Sequence, residues 1–523
     1  METELKLTAS ADHLHQISAQ RLLQDFATME PRTRQLTSHY FDTPDSALHK
    51  HGLTLRVRQD ADHTTQTLKD LGDGAAGGAL ERGEWETPVP SVIPDVRGLL
   101  KANHVPGKVS KTLRRASHAG KLAEQFTVQA ERTTWMLDVD GASIEMALDE
   151  GAVQANGIAS PFAEIELELK SGKKSALYKA AHQLALHVPV QLSFVSKAER
   201  GFALLGDGMR PRKAGPVTFP KRASVEQGMR RILSGCLEHA QANAQGFLDS
   251  DDPEYLHQLR VGMRRFKSAL KLFRGVVALP PELQHLFDEV SALLGAARDA
   301  DVLLLTTLPG IAKAGKHDAL LQPLVEHVQA AAQERRAAAR AAIHSTRHAQ
   351  GMLALFEWVD GKLWRKDVSR AGRARLRKPL AGYARRAVID AHAVVAKRAR
   401  KVQKLGGHDS ASLHRLRIGG KQARYAVEFF AAIEKPGNAA RYVKQLSAVQ
   451  EALGTLNDAH VAQAMLDGFI QSKPELAPAA GVVAAYLNGM AAAKLNNRKA
   501  PWRALAGRKA ARGAHGLVRK GGR

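Results

Sequence analysis

The sequence predicts a two-part chain of the α+β class. A closed antiparallel β-barrel with a charged interior comes first, then an all-α half made of two repeated helical halves. Three observations carry this. Glu2, Glu4 and Lys6 alternate with Leu5 and Leu7, and alternate residues of a strand face opposite ways. The same sorting recurs at Glu164, Glu166, Glu168 and Lys170 against Ile165, Leu167 and Leu169. From Ser224 onward the pattern turns helical and alanine-rich, and one motif appears twice.

A single strand of this kind also reads as a solvated face laced with salt bridges. Arg56 with Arg58, Lys69, and Glu84 with Glu86 extend the sorting to five strands in series. A barrel whose lumen gathers the charges satisfies all five at once. Two carboxylates and an ammonium on one inward face make a poor core. They make a good half-site for a divalent metal and a phosphate chain.

At 523 residues the chain exceeds one hydrophobic core, and its apolar fraction of 44% lets both parts be globular. One cysteine, Cys236, excludes an internal disulfide and a cysteine-based zinc site, and fits a reducing compartment. No apolar run approaches the ~20 residues of a bilayer span. The N-terminus has acids where a signal peptide needs bases and an apolar stretch. A cytoplasmic protein with no membrane span is expected. The net charge of +24 is uneven: residues 1–210 hold 24 Lys+Arg and 27 Asp+Glu, residues 211–523 hold 52 and 25. The second half is built to meet a polyanion, whether nucleic acid, polyphosphate or an anionic membrane.

Taken in order, residues 10–29 read as an amphipathic helix. A strand at 38–42 runs into an Asp/Pro turn, a short helix spans 46–51 and a strand 52–58. Residues 72–79 are a glycine-rich hairpin loop before a strand at 81–87 and a short helix near 95–102. Residues 111–115, 126–133, 134–139 and 142–148 read as a meander. A turn at Asp149–Gly151 then leads into the acidic strand 163–170, helix 173–187 follows, and a short segment begins at Ser196.

The pieces ExExK, YFDTPD, LRVR, TLK, GEWE, EIELELK and SKAERGFAL, in this order across about residues 1–205, resemble the CYTH domain, the triphosphate tunnel metalloenzymes. The resemblance implies an eight-stranded antiparallel barrel that binds a triphosphate and Mg²⁺ or Mn²⁺. The residue chemistry agrees. Lys6, Arg56, Arg58, Lys69, Arg114 and Lys197 would surround the phosphates, arginine through its bidentate fork. Glu2, Glu4, Glu164 and Glu166 would supply hard oxygens to the metal. Glu168 and Lys170 share the face of Glu164. Glu84, Glu86, Asp138, Glu145 and Asp149 are further lumen candidates, each equally readable as a salt-bridge partner.

Residues 206–223, rich in Pro, Gly and bases, read as a linker before a helical domain at 224–510 and a basic tail at 511–523. In the helical domain His257-x-Leu-Arg260 with Arg264 matches His414-x-Leu-Arg417 with Lys421, and Leu294–Ala300 matches Leu453–Ala459. His257, Arg260, Arg264 and Lys267 fall within an arc of about 80° on a helix, beside an apolar stripe. His414, Arg417, Lys421 and Arg424 do the same. Neither stripe contains an acid, and pseudo-twofold packing would merge them into one basic groove. These motifs resemble the CHAD domain, which implies inorganic polyphosphate as the ligand of that groove, with association with polyphosphate granules. Asp299 and Asp458 read as helix braces. Residues 361–404 hold 15 Lys+Arg against two acids, and residues 494–523 hold ten against none.

The expected activity is metal-dependent hydrolysis of tripolyphosphate to pyrophosphate and phosphate. The alternatives are a thiamine triphosphatase or an adenylate cyclase on the same barrel, or a non-catalytic polyphosphate- or nucleic-acid-binding scaffold. Aromatics are 5% of the chain and do not interleave with the basic stripes. Nucleic acid would therefore bind only non-specifically, through phosphate.

Overall fold

The computed structural model describes residues 2–18, 26–70, 80–118, 122–206, 208–314, 318–406, 409–433, 436–495 and 505. The glycine-rich loop at 72–79, the tail at 511–523 and the side chain of Glu2 lie outside the described residues. Two compact units form. One comprises residues 1–213, 237–251 and 343–363; the other comprises 214–236, 252–342 and 364–523.

The first unit is built on nine antiparallel strands: β1 (Glu2–Thr8), β2 (Arg32–Asp42), β3 (Leu53–Gln59), β4 (Thr64–Asp70), β5 (Leu80–Pro88), β6 (Ala123–Val139), β7 (Ala142–Ala155), β8 (Ile158–Ser171) and β9 (Gln191–Leu192). Eight of them run in the order β5-β4-β3-β2-β6-β7-β8-β1, and β1 closes the ring on β5 through Glu2↔Arg82 and Glu4↔Leu80. The two-residue β9 adds to the end of β1 at Leu7↔Leu192. Helices α1 (Ala11–Ser18), α2 (Ala47–Lys50), α3 (Val96–Ala102), α4 (Gly107–His118), α5 (Ser175–His187) and α6 (Lys197–Leu205) surround or cap the ring. Leu48, Leu53, Leu55, Leu68, Leu99 and Leu113 join α2, α3 and α4 to the outer face of β3 and β4. Helix α5 covers β1, β6, β7 and β8.

Several expectations are corrected here. Lys111–Arg115 is not a strand but lies in α4, where Val109, Leu113 and Ala116 form a buried helical stripe. Residues 126–139 are one strand. Its buried residues are Phe126, Val128 and Ala130, then Trp135, Leu137 and Val139. The change of parity marks a change of face: the first three point into the ring and the last three outward. Asp149–Gly151 is not a turn, because β7 runs on to Ala155. A Cβ on Gly151 would sit 2.0 Å from the Gln129 carbonyl oxygen, so its glycine serves a close strand approach. The hairpin turns are Asp140–Gly141 and Asn156–Gly157, all four at positive φ. Of the helix read over 10–29, residues 11–18 are helical, residues 19–25 lie outside the described residues, and Ala27 makes an isolated bridge to Leu137.

Later residues complete the first unit. Gln191 Nε2 donates to the Ile343 carbonyl at 2.7 Å, and the Tyr178 hydroxyl donates to the buried Asp360 at 2.6 Å.

The second unit is helical. Its elements include parts of α7 (Val225–Gln241), which precedes α8 (Ala244–Asp249) of the first unit, then α9 (Pro253–Leu272), α10 (Pro281–Val302), α11 (Leu308–Ala314) and most of α12 (Asp318–His344). Helix α13 (Thr346–Asp360) belongs to the first unit; α14 (Arg370–Leu376), α15 (Leu380–Lys404), α16 (Ser410–Phe429), α17 (Pro436–Ser472) and α18 (Ala477–Leu495) belong to the second. Residues 474–493 are long and apolar enough to cross a bilayer by length and composition, contrary to the expectation that no run reaches that length. In this fold Leu476, Ala479, Ala480, Val483 and Leu487 pack with Leu324, Val328 and Leu466.

Candidate active site

Strand register gathers the charges of the ring. Across β1 and β8, Glu4 faces Glu168, Lys6 faces Glu166 and Thr8 faces Glu164. Across β7 and β8, Asp149 faces Glu164, while the small Ala147 faces Glu166 and leaves room in front of it. Across β6 and β7, Arg132 faces Asp149. On the opposite wall Thr54 faces Lys69, which faces Glu84, and Arg56 faces Thr67, which faces Glu86.

The result is one cavity of about 270 Å³. Of the residues singled out in the sequence, it brings together Glu4, Lys6, Arg56, Arg58, Lys69, Glu84, Glu86, Glu145, Glu166, Glu168, Lys170 and Lys197. Asp149 and Glu164 lie just behind the wall, 1% and 0% exposed. Arg114 is not among them: it is exposed on α4. Asp138 is exposed at a hairpin, where it accepts the Gly141 N–H. Arg132, Tyr40 and Thr54 line the cavity and were not foreseen. Arg132 was findable: counting back equally from the Asp140–Gly141 turn places it opposite Asp149.

Three ionic clusters line the cavity and its floor. Lys197 is aimed inward by a capping box in which Ser196 and Glu199 start α6. Its Nζ lies 2.7 Å from Asp149 and 3.0 Å from Glu166 and also bonds Glu164. Lys6 reaches Glu164 at 2.7 Å, and Arg132 reaches both Asp149 and Glu166 at 2.5 Å. On the other wall Lys69 pairs with Glu84 at 3.0 Å, and Thr67 donates to Glu86 at 2.8 Å. Near the mouth Lys170 pairs with Glu168 at 2.7 Å.

The electrostatics follow from this packing. Burial alone would raise the Glu166 carboxyl, but Lys197, Arg132 and Lys6 outweigh it and hold Glu166 well below the usual carboxylate range. Asp149 is lowered in the same way against its own burial, by Lys197 and Arg132. Arg58 is different. Burial, then Arg56 and Arg132, push it down to about 10. It has a long hydrogen bond to Ser38 Oγ and no ion pair among the described residues. Among the described residues Arg58 is a half-buried cation with no carboxylate within ion-pair distance, and Asp149 offsets only part of that repulsion.

The donor set suits a hard divalent cation. Asp149, Glu164 and Glu166 bring carboxylate oxygens within 4.8 Å of one another. Glu164 Oε2 is buried with no hydrogen-bond partner among the described residues. Charge balance points the same way. Lys6, Arg56, Arg58, Lys69, Arg132, Lys170 and Lys197 stand against the carboxylates of Glu4, Glu84, Glu86, Glu145, Asp149, Glu164, Glu166 and Glu168. A bare phosphate chain would deepen the negative excess, and one accompanied by divalent cations would relieve it.

In the helical unit the two motif helices, α9 and α16, pack together. Arg260 pairs with Asp299 at 3.1 Å, and Arg417 donates to Asn457 at 2.6 Å. Asp299 thus braces an arginine. Burial, then Arg417, Arg264 and Arg260, push Lys421 down to about 7, so the two stripes do converge. Arg264 Nε is buried with no hydrogen-bond partner among the described residues. The acid-free stripes meet acids from outside the stripe: Lys267 pairs with Asp288 at 2.6 Å and Arg424 with Glu428 at 3.4 Å. His257 is pushed down to about 4 by burial and Arg298, while His414 is exposed.

Residues 1–202 match the CYTH domain, and residues 231–467 match the CHAD domain. The chain is a CYTH domain followed by a CHAD domain. It is 32% identical over 207 residues to an inorganic triphosphatase of Haemophilus influenzae, a match covering 39% of this chain and 54% of that relative. The chain therefore spans about half the length of the curated relative it matches. The crystal structure of a CHAD domain from the plant Ricinus communis is 36% identical, with a TM-score of 0.50, and covers 60% of this chain and 100% of that one. A Hippeastrum structure, described as a putative adenylyl cyclase with a dominant triphosphatase activity, is 19% identical with a TM-score of 0.30, covering 40% of this chain and 98% of that one. The charged cavity lies in the CYTH domain, and the converging basic stripes lie in the CHAD domain.

Proposed function

We propose that the CYTH domain is a metal-dependent inorganic triphosphatase that hydrolyses tripolyphosphate to pyrophosphate and phosphate, and that the CHAD domain binds inorganic polyphosphate. The carrying observation is the meeting of a buried acid trio, Asp149, Glu164 and Glu166, with a bank of cations inside one cavity. Asp149, Glu164 and Glu166 would hold Mg²⁺ or Mn²⁺, with Glu4 beside them. Bound there, the metal supplies neutralisation of phosphate charge and a water of lowered pKa.

The chain's own residues do the rest. Arg56, Arg58 and Arg132 bind non-bridging oxygens through planar N–H pairs, and Lys69 adds a point charge on the same wall. Arg58, already short of a counter-charge, gains most from an anion. Lys6 and Lys197 hold the carboxylates in place. Phosphoryl transfer needs chiefly positioning and charge stabilisation, and such a lumen provides both.

Tyr40 is the only aromatic side chain lining the cavity among the described residues. That favours an inorganic chain over a thiamine or adenosine triphosphate, whose rings want an apolar or aromatic seat. The test is phosphate release with Mg²⁺ or Mn²⁺ from tripolyphosphate, ATP and thiamine triphosphate in parallel, with cyclic AMP measured in the ATP reaction. Tripolyphosphate should turn over fastest, and Glu4→Gln should lower its kcat/KM by at least ~100-fold. Cyclic AMP formation, or preference for an organic triphosphate, would overturn the assignment.

A further inference from the structure

The two copies of the CHAD repeat are not equivalent where their motif helices touch. In one direction Arg265 of α9 inserts against α16. It pairs with Glu428 at 2.8 Å and lies over the rings of Tyr425 and Phe429, 5.6 and 4.9 Å from their centroids. This plug is self-contained, with a cation, its counter-ion and aromatic bulk.

The repeat relates Arg265 to Gln422, Tyr425 to Ser268, Glu428 to Lys271 and Phe429 to Leu272. In the reverse direction every part of the plug is thus reduced or inverted. The arginine becomes a shorter amide, the two rings become a hydroxyl and a leucine, and the acid becomes a base. Gln422, Ser268, Lys271 and Leu272 all line a cavity of about 650 Å³. None of the repeated histidine–arginine motif residues lines it.

Most of the remaining wall comes from the basic stretch 361–404, with Val225, Arg274 and Gly419 added from outside it. Arg274, Arg375, Lys378 and Arg386 join Lys271 around the cavity, against one acid, Asp390. None of these five cations makes an ion pair among the described residues. The remaining wall is largely apolar, with Leu272, Ala387 and Val394. Tyr383 is held rigidly there: its hydroxyl donates to the Leu272 carbonyl at 2.8 Å, and its ring stacks on Phe273 at 5.3 Å. Relative to its counterpart, the cavity lacks negative charge and apolar bulk. A ligand that restores the packing must bring both.

We propose that this cavity is a binding site for a small organic phosphate of nucleoside-monophosphate size. Its phosphate sits among Lys271, Arg274, Arg375, Lys378 and Arg386, and its ring system lies against the apolar wall. Polyphosphate supplies the charge without the bulk and belongs elsewhere. The site stands independently of the activity of the CYTH domain.

The test is titration calorimetry on the full chain with AMP, and with adenosine and inorganic phosphate separately. AMP should bind at least tenfold more tightly than either part. Gln422→Trp, which fills the cavity with bulk and adds no charge, should weaken AMP at least tenfold, with polyphosphate binding and the thermal transition retained. Arg375→Ala with Lys378→Ala should do the same without adding bulk. AMP binding no tighter than phosphate, or unchanged in both variants, would overturn the site. Capture of the chain by phosphatidic acid vesicles, lost in these variants while AMP fails to bind, would assign the cavity to a lipid headgroup and overturn the nucleotide reading.

Discussion

Lys197 donates to Asp149 across 2.7 Å at the floor of the cavity, and both side chains are nearly out of water. The lysine comes from α6 and the carboxylate from β7, so the pair ties the capping helix to the barrel wall. It also places an ammonium among the acids that would hold a metal.

Lys197→Met leaves a buried carboxylate cluster short of one positive charge. Removing one partner of a buried pair costs about 3–5 kcal/mol. Urea unfolding without divalent ions should show a loss of that order. Millimolar Mg²⁺ should recover part of it, because a divalent ion supplies the missing counter-charge. A variant as stable as the parent in EDTA would show that the acids need no cation.

Glu166 and Asp149 are both held below the carboxylate range. Folded, they bind fewer protons than unfolded, so their stabilisation is complete above about pH 4 to 5 and is lost as pH falls through and below that range. The urea midpoint should drop between pH 5 and 3. Glu166→Gln should start lower at neutral pH and fall less steeply. Parallel profiles for parent and variant would rule out this linkage.

Lys421 at about 7 is charged below neutrality and loses its proton above it. Unfolded, it would stay charged to about pH 10, so its deprotonation favours the fold as pH rises while removing a cation from the groove. Polyphosphate affinity should fall between pH 6 and 8 in low salt. Lys421→Arg should bind with a flatter profile. Equal pH dependence in the two proteins would exclude Lys421 as the source.

Arg260→Glu combined with Arg417→Glu places two acids where the basic stripes meet. Long-chain polyphosphate binding should fall by at least tenfold, with tripolyphosphate turnover in the CYTH domain retained. Filter binding and phosphate release on the same preparation read both. Retained polyphosphate binding would move that site away from the motif helices.

The charged lumen was legible because acid–apolar alternation has period two, and nothing but a strand places Glu164, Glu166 and Glu168 on one side. Arg132 was hidden by the change of parity along β6, which imitates a break between two strands. The turn read at Asp149–Gly151 mistook a glycine needed for a close backbone approach, whereas Asp140–Gly141 and Asn156–Gly157 carried the proper hairpin signal. Arg114 was drawn into the lumen by a short alternation, although Val109, Leu113 and Ala116 already had helical spacing. In the helical half the basic stripes could be read from one helix at a time. Asp288, Asp299 and Glu428 could not be placed against them, because tertiary packing decides which acid each cation meets.

The inner face of the barrel beyond the acids is filled by Tyr40, Phe126, Val128, Val153 and Phe162 with Ala198 of α6. Among the described residues this apolar cluster stops that end of the lumen. If the cavity hydrolyses phosphate chains as proposed, a long chain would present a terminus rather than a middle bond, and each fragment would have to leave before the next end enters, so that shortening would proceed one tip at a time.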